Sequence, residues 1–420
     1  MRESLRGLTV RGRCFLAAGG SAVVCSFALG QSTLLRVGVL LLALPLLTAY
    51  AVAQGRYRLS LTRTVTPSVV SAGQAAEVAL TLRNDGRMPS GALRVEEQLP
   101  YALGSRPRFV LERIEHGWRR RVTYPVRAEV RGRYDLGPMS VRVGDPFGLV
   151  ELTRTFRTTT QLVVTPRTVA LPSVPLEAAQ SGSGDHRPRA FAGGSAEDVT
   201  VRDYRRGDDL RRVHWRSSAR VGALMVRREE QPWQSRATVF LDNRAGAHRG
   251  HGLASSLETA VVAAASVAAH LSRRGYAVRL VTASGEEPAS AWHSRDADVA
   301  AGQLLEALAM VRPEPTVSLE AGWLGEHGSG GVTVAVLGSV TGTDLPVLRR
   351  MVHHSGLALA MALDVDAWGP TQLGTGGSTG LLLQQGWRAA TVLPDTRIDQ
   401  AWQALGSRGP RGRGRDHATS

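Results

Sequence analysis

Between Cys14 and Leu35 the chain carries no charged residue, and after Arg36 it carries none again until Arg56. Backbone polar groups inside lipid must be satisfied within their own segment, which restricts such a stretch to helices. It divides at Gln31-Ser32-Thr33 into two apolar runs, 14–30 and 37–53. Each sits near the lower limit of about 17 residues for a spanning helix. Residues 1–56 therefore read as a membrane anchor, a transmembrane helical hairpin. Gly19, Gly20 and Ala22 favour close packing of the two helices, and Pro45 is predicted to kink the second. Arg2, Arg6, Arg11 and Arg13 precede the hairpin and Arg56, Arg58 and Arg63 follow it, against Arg36 alone beside the turn. That asymmetry orients both termini, and the soluble domains with them, to the cytoplasm. The rival reading is a signal peptide cleaved after Ala51-Val52-Ala53, which would exceed the usual length of about 15–30 residues.

Charge points the same way. All 51 basic side chains are arginine, and the net charge is +15. Such a surface favours anionic lipid headgroups. Nucleic acid is not expected as a partner, because no recognition motif or aromatic stacking platform accompanies the charge. Cys14 and Cys25 both lie in the apolar stretch, so the rest of the chain has neither a disulfide framework nor a thiolate metal site.

Residues 57–170 read as short strands between turns. Val78, Leu80 and Leu82 alternate with polar neighbours, as do Leu93 with Val95 and Val141 with Val143, and Val122 with Val126 more loosely. Asn84-Asp85-Gly86, Gly132 and Gly137-Pro138 supply turn chemistry. The spacing predicts an all-β, immunoglobulin-like sandwich. Asp145-Pro146-Phe147-Gly148-Leu149 reads as a rigid turn with Phe147 packed inward, or alternatively as a recognition loop. Residues 171–196 read as a linker, and 406–420 as a disordered basic tail.

From 237 onward strands and helices alternate, which predicts a Rossmann-like α/β domain with a parallel sheet. Its first strand, 237–241, ends at Asp242. A carboxylate there resembles the start of the metal site of a von Willebrand A-like domain, which continues Asp-x-Ser-x-Ser. This chain continues Asn243-Arg244-Ala245-Gly246, so both hydroxyls are missing and a guanidinium replaces one. A hard divalent cation takes oxygen ligands, and arginine has none to give. Any residual metal site would draw on Asp242, Ser339 and Asp344. No cofactor is expected. Asp364 and Asp366 read as a solvated turn or a helix cap, and the glycine-rich 374–380 segment as a flexible loop, since it lacks the lysine of a phosphate loop.

Residues 197–405 join this domain to an arginine-rich block, where nine arginines face three aspartates between 202 and 228. Asp208 or Asp209 is placed to cap a helix carrying Leu210, Val213 and Ser217 on one face, ended by Gly222. The pattern Tyr204, Gly207, Asp208, then Arg211, His214, Trp215, Ser218, Arg220, then Arg227 resembles the signature of the domain of unknown function 58 family. The 131–134 turn, the 145–149 turn and the helix pair are similar to segments upstream of it in many members. What the resemblance implies is a membrane-anchored protein with a von Willebrand A-like domain. It also implies company: a MoxR-type AAA ATPase and a transglutaminase-like membrane protein.

The residues of the block suit a packed helix anchored by His214 and Trp215, or a partner-binding surface of exposed arginines. His214, Asp208 and Ser217 or Ser218 have the residue types of a nucleophilic triad, but one helix holds His and Ser in a fixed geometry and no nucleophile turn appears. The expected function is a membrane-tethered, non-catalytic adaptor or assembly factor. The alternatives are a divalent-metal-dependent binding module at Asp242 and a cell-envelope enzyme centred on His214.

Overall fold

The computed structural model describes residues 7–54, 59–85, 93–112, 117–145, 147–176, 201–203, 215–223, 225–227, 236–290, 296–325, 330–369 and 377–407. The chain divides into two units, the first holding residues through Thr168 and the second the bulk of the chain from Val169.

The first unit begins with α1 (Val10–Leu29) and α2 (Ser32–Gln54), separated by Gly30 in the left-handed region and Gln31. Both are long and apolar enough to cross a membrane. Both helices begin before their apolar runs, so Arg11, Arg13 and Arg36 lie within them; α1 ends at Leu29, and α2 continues through Pro45 to Gln54. Close approach is set by glycine. A Cβ on Gly19 would stand 3.0 Å from the Gly38 carbonyl oxygen, and one on Gly38 would stand 3.1 Å from the Gly19 oxygen.

Ten strands follow: β1 (Leu59–Thr66), β2 (Val69–Ser71), β3 (Ala75–Asn84), β4 (Leu93–Glu97), β5 (Arg108–Leu111), β6 (Arg119–Arg127), β7 (Gly132–Leu136), β8 (Met139–Gly144), β9 (Glu151–Phe156) and β10 (Thr160–Thr165). They form sheets ordered β1-β3-β6, β5-β4-β8-β9 and β2-β10-β7. The alternation predicted from sequence is the burial pattern: Val78, Leu80 and Leu82 from one sheet share a core with Leu93, Val95, Val141 and Val143 from another and Leu162 and Val164 from the third. A buried ion pair sits among them, Arg63 Nη2 to Glu97 Oε1 at 2.6 Å.

The segment before α1 belongs to this β-rich body. Leu8 bridges Val150 antiparallel, and the Glu151 amide donates to the Gly7 carbonyl. The chain thus leaves the β-rich body, runs through the two helices and returns to it.

From Val201 onward the elements are β11 (Val201–Asp203), α3 (Trp215–Val221), β12 (Met225–Arg227), β13 (Arg236–Leu241), α4 (Ser256–Arg273), β14 (Ala277–Thr282), β15 (Ala289–Ser290), α5 (Ala297–Met310), β16 (Val332–Leu337), α6 (Leu345–His354), β17 (Leu357–Leu363), α7 (Gly377–Gln384), β18 (Arg388–Val392) and α8 (Ile398–Ser407); all belong to the second unit except the part of α5 from Leu305, which groups with the first. Six strands make one sheet, ordered β15-β14-β13-β16-β17-β18, parallel except for the edge strand β15. β14, β16 and β17 are buried along their whole lengths, which explains their largely apolar sequences, interrupted only by Arg279, Thr282 and Thr333.

Three sequence expectations change here. Residues 171–176 are not free spacer: Leu171, Val174 and Leu176 are buried, and the Pro172 carbonyl accepts from Trp402 Nε1 at 3.0 Å. The rest of the expected linker lies outside the described residues. Gly377–Gly380 are the first turn of α7, not loop. Asp364 is buried at the start of a short 3-10 turn, because the strand it ends lies inside the sheet.

Candidate functional site

β13 leads through α4 to β14 on one side of it, and the chain then crosses to β16 on the other. The sheet therefore reverses its winding between β13 and β16, and ligands of such folds gather beyond the C-terminal ends of the strands at this crevice. Asp242 leaves β13 there, and residues 338–344 leave β16 beside it. The two are drawn together by a close backbone approach. A Cβ on Gly338 would lie 2.3 Å from the Ala247 carbonyl oxygen, which accepts the Ser339 amide at 2.9 Å.

Arg244 fills the crevice. Its guanidinium meets Asp242 as a two-pronged fork, Nε to Oδ1 and Nη2 to Oδ2, each at 2.9 Å. It reaches Asp344 with Nη1 to Oδ1 at 2.7 Å and Nη2 to Oδ2 at 3.3 Å. Nη1 also donates to the Val317 carbonyl at 3.0 Å and Nη2 to that of Ser339 at 3.3 Å. Every guanidinium N–H faces an acceptor. The site is closed from water: Asp242 is 0%, Asp344 1% and Arg244 4% exposed. Burial alone would lower the Arg244 pKa, but the two carboxylates outweigh it and push the pKa above the ordinary value, so the cation is permanent. Asp344 is fixed in turn by Thr341, whose amide and Oγ1 each donate to Oδ2 at 3.0 Å.

Sequence reasoning brought Asp242, Ser339 and Asp344 together as the only metal set, and the structure brings the same three together, around a guanidinium. Their carboxylates face Arg244, so these residues do not fit a divalent ion. The metal-dependent alternative loses its ligands for this physical reason.

Two supports escaped the sequence reading. Asn243 Nδ2 donates to Glu314 Oε1 at 2.9 Å, and Asn243 Oδ1 accepts the Ala283 amide at 3.2 Å. His248 is buried, with Nε2 2.7 Å from the Asp242 carbonyl oxygen and Nδ1 3.0 Å from Ser256 Oγ. A carbonyl only accepts, so Nε2 carries the proton and Nδ1 accepts from Ser256. Asx and lone His residues give no periodic signal, and only the fold shows what they brace.

Burial lowers the His248 pKa, Arg244 and Arg249 add to this, and Asp242 opposes it. The folded pKa is thus below the unfolded value, so the unfolded state binds more protons as pH falls. His248 contributes its full stability above about pH 6.5 and loses it as pH falls through the depressed folded pKa. Burial shifts His270 the same way, so it adds a loss of the same sign. His248→Gln is expected to shed part of the acid-side loss between pH 7 and 5. Hydrogen exchange of the β13 amides measures this, and an unchanged pH slope contradicts it.

The arginine-rich block is reached only in part. Tyr204, Gly207, Asp208, Arg211 and His214 lie outside the described residues, as do Leu210 and Val213 of the expected helix. Ser218 and Arg220 lie on α3, which ends as expected at Gly222, whose φ is +77° and whose amide donates to the Ser218 carbonyl. Arg227 is in β12, paired antiparallel with β11. Trp215 is 69% exposed, so the expected burial of this ring against the sheet is corrected. It opens α3, where the residues one turn on, Ser218 and Ala219, are small and offer it no apolar cover.

Residues 200–338 match the family described as "Protein of unknown function DUF58". The uncharacterized protein YeaD of Bacillus subtilis is 28% identical over 178 residues, covering 41% of this chain and 44% of that protein. The chain thus matches less than half the length of this relative. Among solved structures, the CARDB domain of a Pyrococcus furiosus protein is 17% identical, covering 26% of this chain and 93% of that one, with a TM-score of 0.20. A β-glucosidase from Listeria innocua is 13% identical over 26% of this chain and 16% of its own, with a TM-score of 0.16.

Proposed function

For a chain that belongs, through residues 200–338, to the family of unknown function DUF58, we propose the role of a membrane-tethered, non-catalytic adaptor. The observation that carries this is the guanidinium of Arg244 locked between Asp242 and Asp344. We read the α/β unit as von Willebrand A-like and the β-rich unit as immunoglobulin-like. In that reading the internal cation stands where a divalent ion would otherwise capture a partner's carboxylate. Recognition then falls to the rim of the crevice, where Ala245, Gly246, Val317, Thr341 and Thr343 are exposed and Arg249 reaches the Gly246 carbonyl.

Tethering has its own support. Gly7, Leu8 and Thr9 before α1 bond to residues 148–151, so both ends of the hairpin start from one body. Two apolar helices between those ends make an even number of crossings. Cleavage after Ala53 would remove residues built into the sandwich, which favours a retained anchor. The arginines flanking the hairpin support a reading in which the soluble units face the cytoplasm.

A MoxR-type AAA ATPase is the partner the family resemblance proposes. Affinity capture of the full chain from solubilised membranes of its native cell, read by quantitative mass spectrometry, tests this. Enrichment of such an ATPase is expected, and its repeated absence contradicts the partnership. A hydrolytic turnover that requires His214 would instead favour the enzyme reading.

A further inference from the structure

The turn between β8 and β9 is tied by its own first residue. The Asp145 carboxylate accepts the amides of Phe147 at 3.1 Å and of Leu149 and Val150 at 2.7 Å each. This folding sends Leu149 inward and Phe147 outward: Leu149 is 2% exposed and Phe147 59%, which corrects the inward packing of Phe147 expected from sequence.

The other side of the turn is joined to the membrane helix. Thr9 Oγ1 donates to the Gly148 carbonyl at 2.7 Å, and the Thr9 amide donates to the Leu149 carbonyl at 2.9 Å. The same hydroxyl oxygen caps α1 by accepting the Gly12 amide at 3.2 Å. A Cβ on Gly12 would stand 2.3 Å from the Leu149 oxygen, so turn and helix touch backbone to backbone. Their relative placement leaves little freedom.

Depth follows from the helix contacts. Leu149 and Val150 form a cluster with Ala49, against which Phe15 and Leu44 pack. From Ser32 to Leu44, α2 rises only about 18 Å at 1.5 Å per residue. The hydrocarbon core is about 30 Å thick. With the Gly30–Gln31 tip at one interface, Leu44 lies inside the hydrocarbon layer, and the turn packed against its cluster meets the opposite interface. Phe147 projects there. Val10, 76% exposed, opens α1 at the same end, and the exposed Arg11 and Arg13 follow it. Aromatic rings settle at this level of a bilayer, and guanidinium groups pair with its phosphates.

We infer that Phe147 is a lipid-contacting foot: the turn at 147–150 enters the near leaflet of the bilayer that the hairpin spans and holds the β-rich body against the membrane surface. The occupant is glycerophospholipid. The inference rests on the hairpin reading, and the test separates the two.

The full chain with Cys14→Ala and Cys25→Ala is placed in vesicles of mixed phosphatidylcholine and phosphatidylglycerol. A nitroxide is attached at Phe147→Cys, at Val24→Cys within α1, or at Tyr101→Cys, a residue 99% exposed on the sandwich. Power saturation compares relaxation by oxygen with relaxation by a water-soluble nickel chelate. At 147 the label is expected to be shielded from nickel, between the fully shielded 24 and the open 101. Nickel access at 147 equal to that at 101, with 24 shielded, overturns the foot alone. Nickel access at 24 as well overturns the spanning hairpin and the foot with it. As a second measurement with both cysteines kept, p-benzoylphenylalanine in place of Phe147 is expected to yield lipid photo-adducts, and the same group in place of Tyr101 none. Adducts at 147 confined to protein overturn the proposal.

Discussion

Arg244→Ala is expected to destabilise the α/β unit by about 3–5 kcal/mol, the range for removing one partner of a buried ion pair. The loss should fall toward the top of that range, since two carboxylates, Asp242 and Asp344, lose their shared counter-charge in a site with almost no solvent exposure. Two buried like charges relieve themselves by taking up protons. Arg244→Lys should lie between the two proteins, because one ammonium cannot reproduce the fork on Asp242 and also reach Asp344. Hydrogen exchange of β13 and β16 amides in the full chain reads the unit directly. Wild-type protection in Arg244→Ala at pH 8 contradicts the account.

The β-rich unit holds the second large effect. Arg63 and Glu97 are paired with side chains only 2% and 0% exposed, and Arg63 Nη1 donates to the Thr158 carbonyl at 2.8 Å. Burial pushes the Glu97 pKa up, against the pull of Arg63, so this carboxylate depends on its partner to stay charged. Glu97→Ala strands the guanidinium in an apolar core and is expected to cost about 3–5 kcal/mol. The double variant Arg63→Met with Glu97→Leu removes both charges and should be neutral or more stable, by up to about 4 kcal/mol. Exchange protection of β3 and β4 amides distinguishes these outcomes. A double variant as unstable as Glu97→Ala would show that the pair acts through shape rather than charge.

Much of the architecture was legible because burial imposes simple periods. The half-buried strands around Val78–Leu82 alternate, and the fully buried strands are short, β-branched or, in β17, apolar from end to end, so neither kind reads as helix. Asp242 was legible as a strand-end carboxylate, and Arg244 as a cation close beside it in sequence. What the sequence hid was the positive role of that arginine, because Asp344 lies a hundred positions away and only the sheet order places the ends of β13 and β16 side by side. A cation next to one strand-end carboxylate, with a second acid after a later strand, is the signal that would have found it. Phe147 was read inward on hydrophobicity alone. The Asp145 hydrogen bonds decide otherwise, since they turn Leu149 into the core instead.

The most direct test of the internal cation is a Mn²⁺ titration of the full chain, with free Mn²⁺ followed by its room-temperature paramagnetic resonance signal, comparing wild type with Arg244→Ser. The wild-type protein should leave the Mn²⁺ signal unchanged at Asp242, with Asp242→Ala giving the same trace. Arg244→Ser, which frees both carboxylates and restores one hydroxyl, should remove Mn²⁺ from solution. Stoichiometric Mn²⁺ uptake by the wild type that Asp242→Ala abolishes would contradict the account.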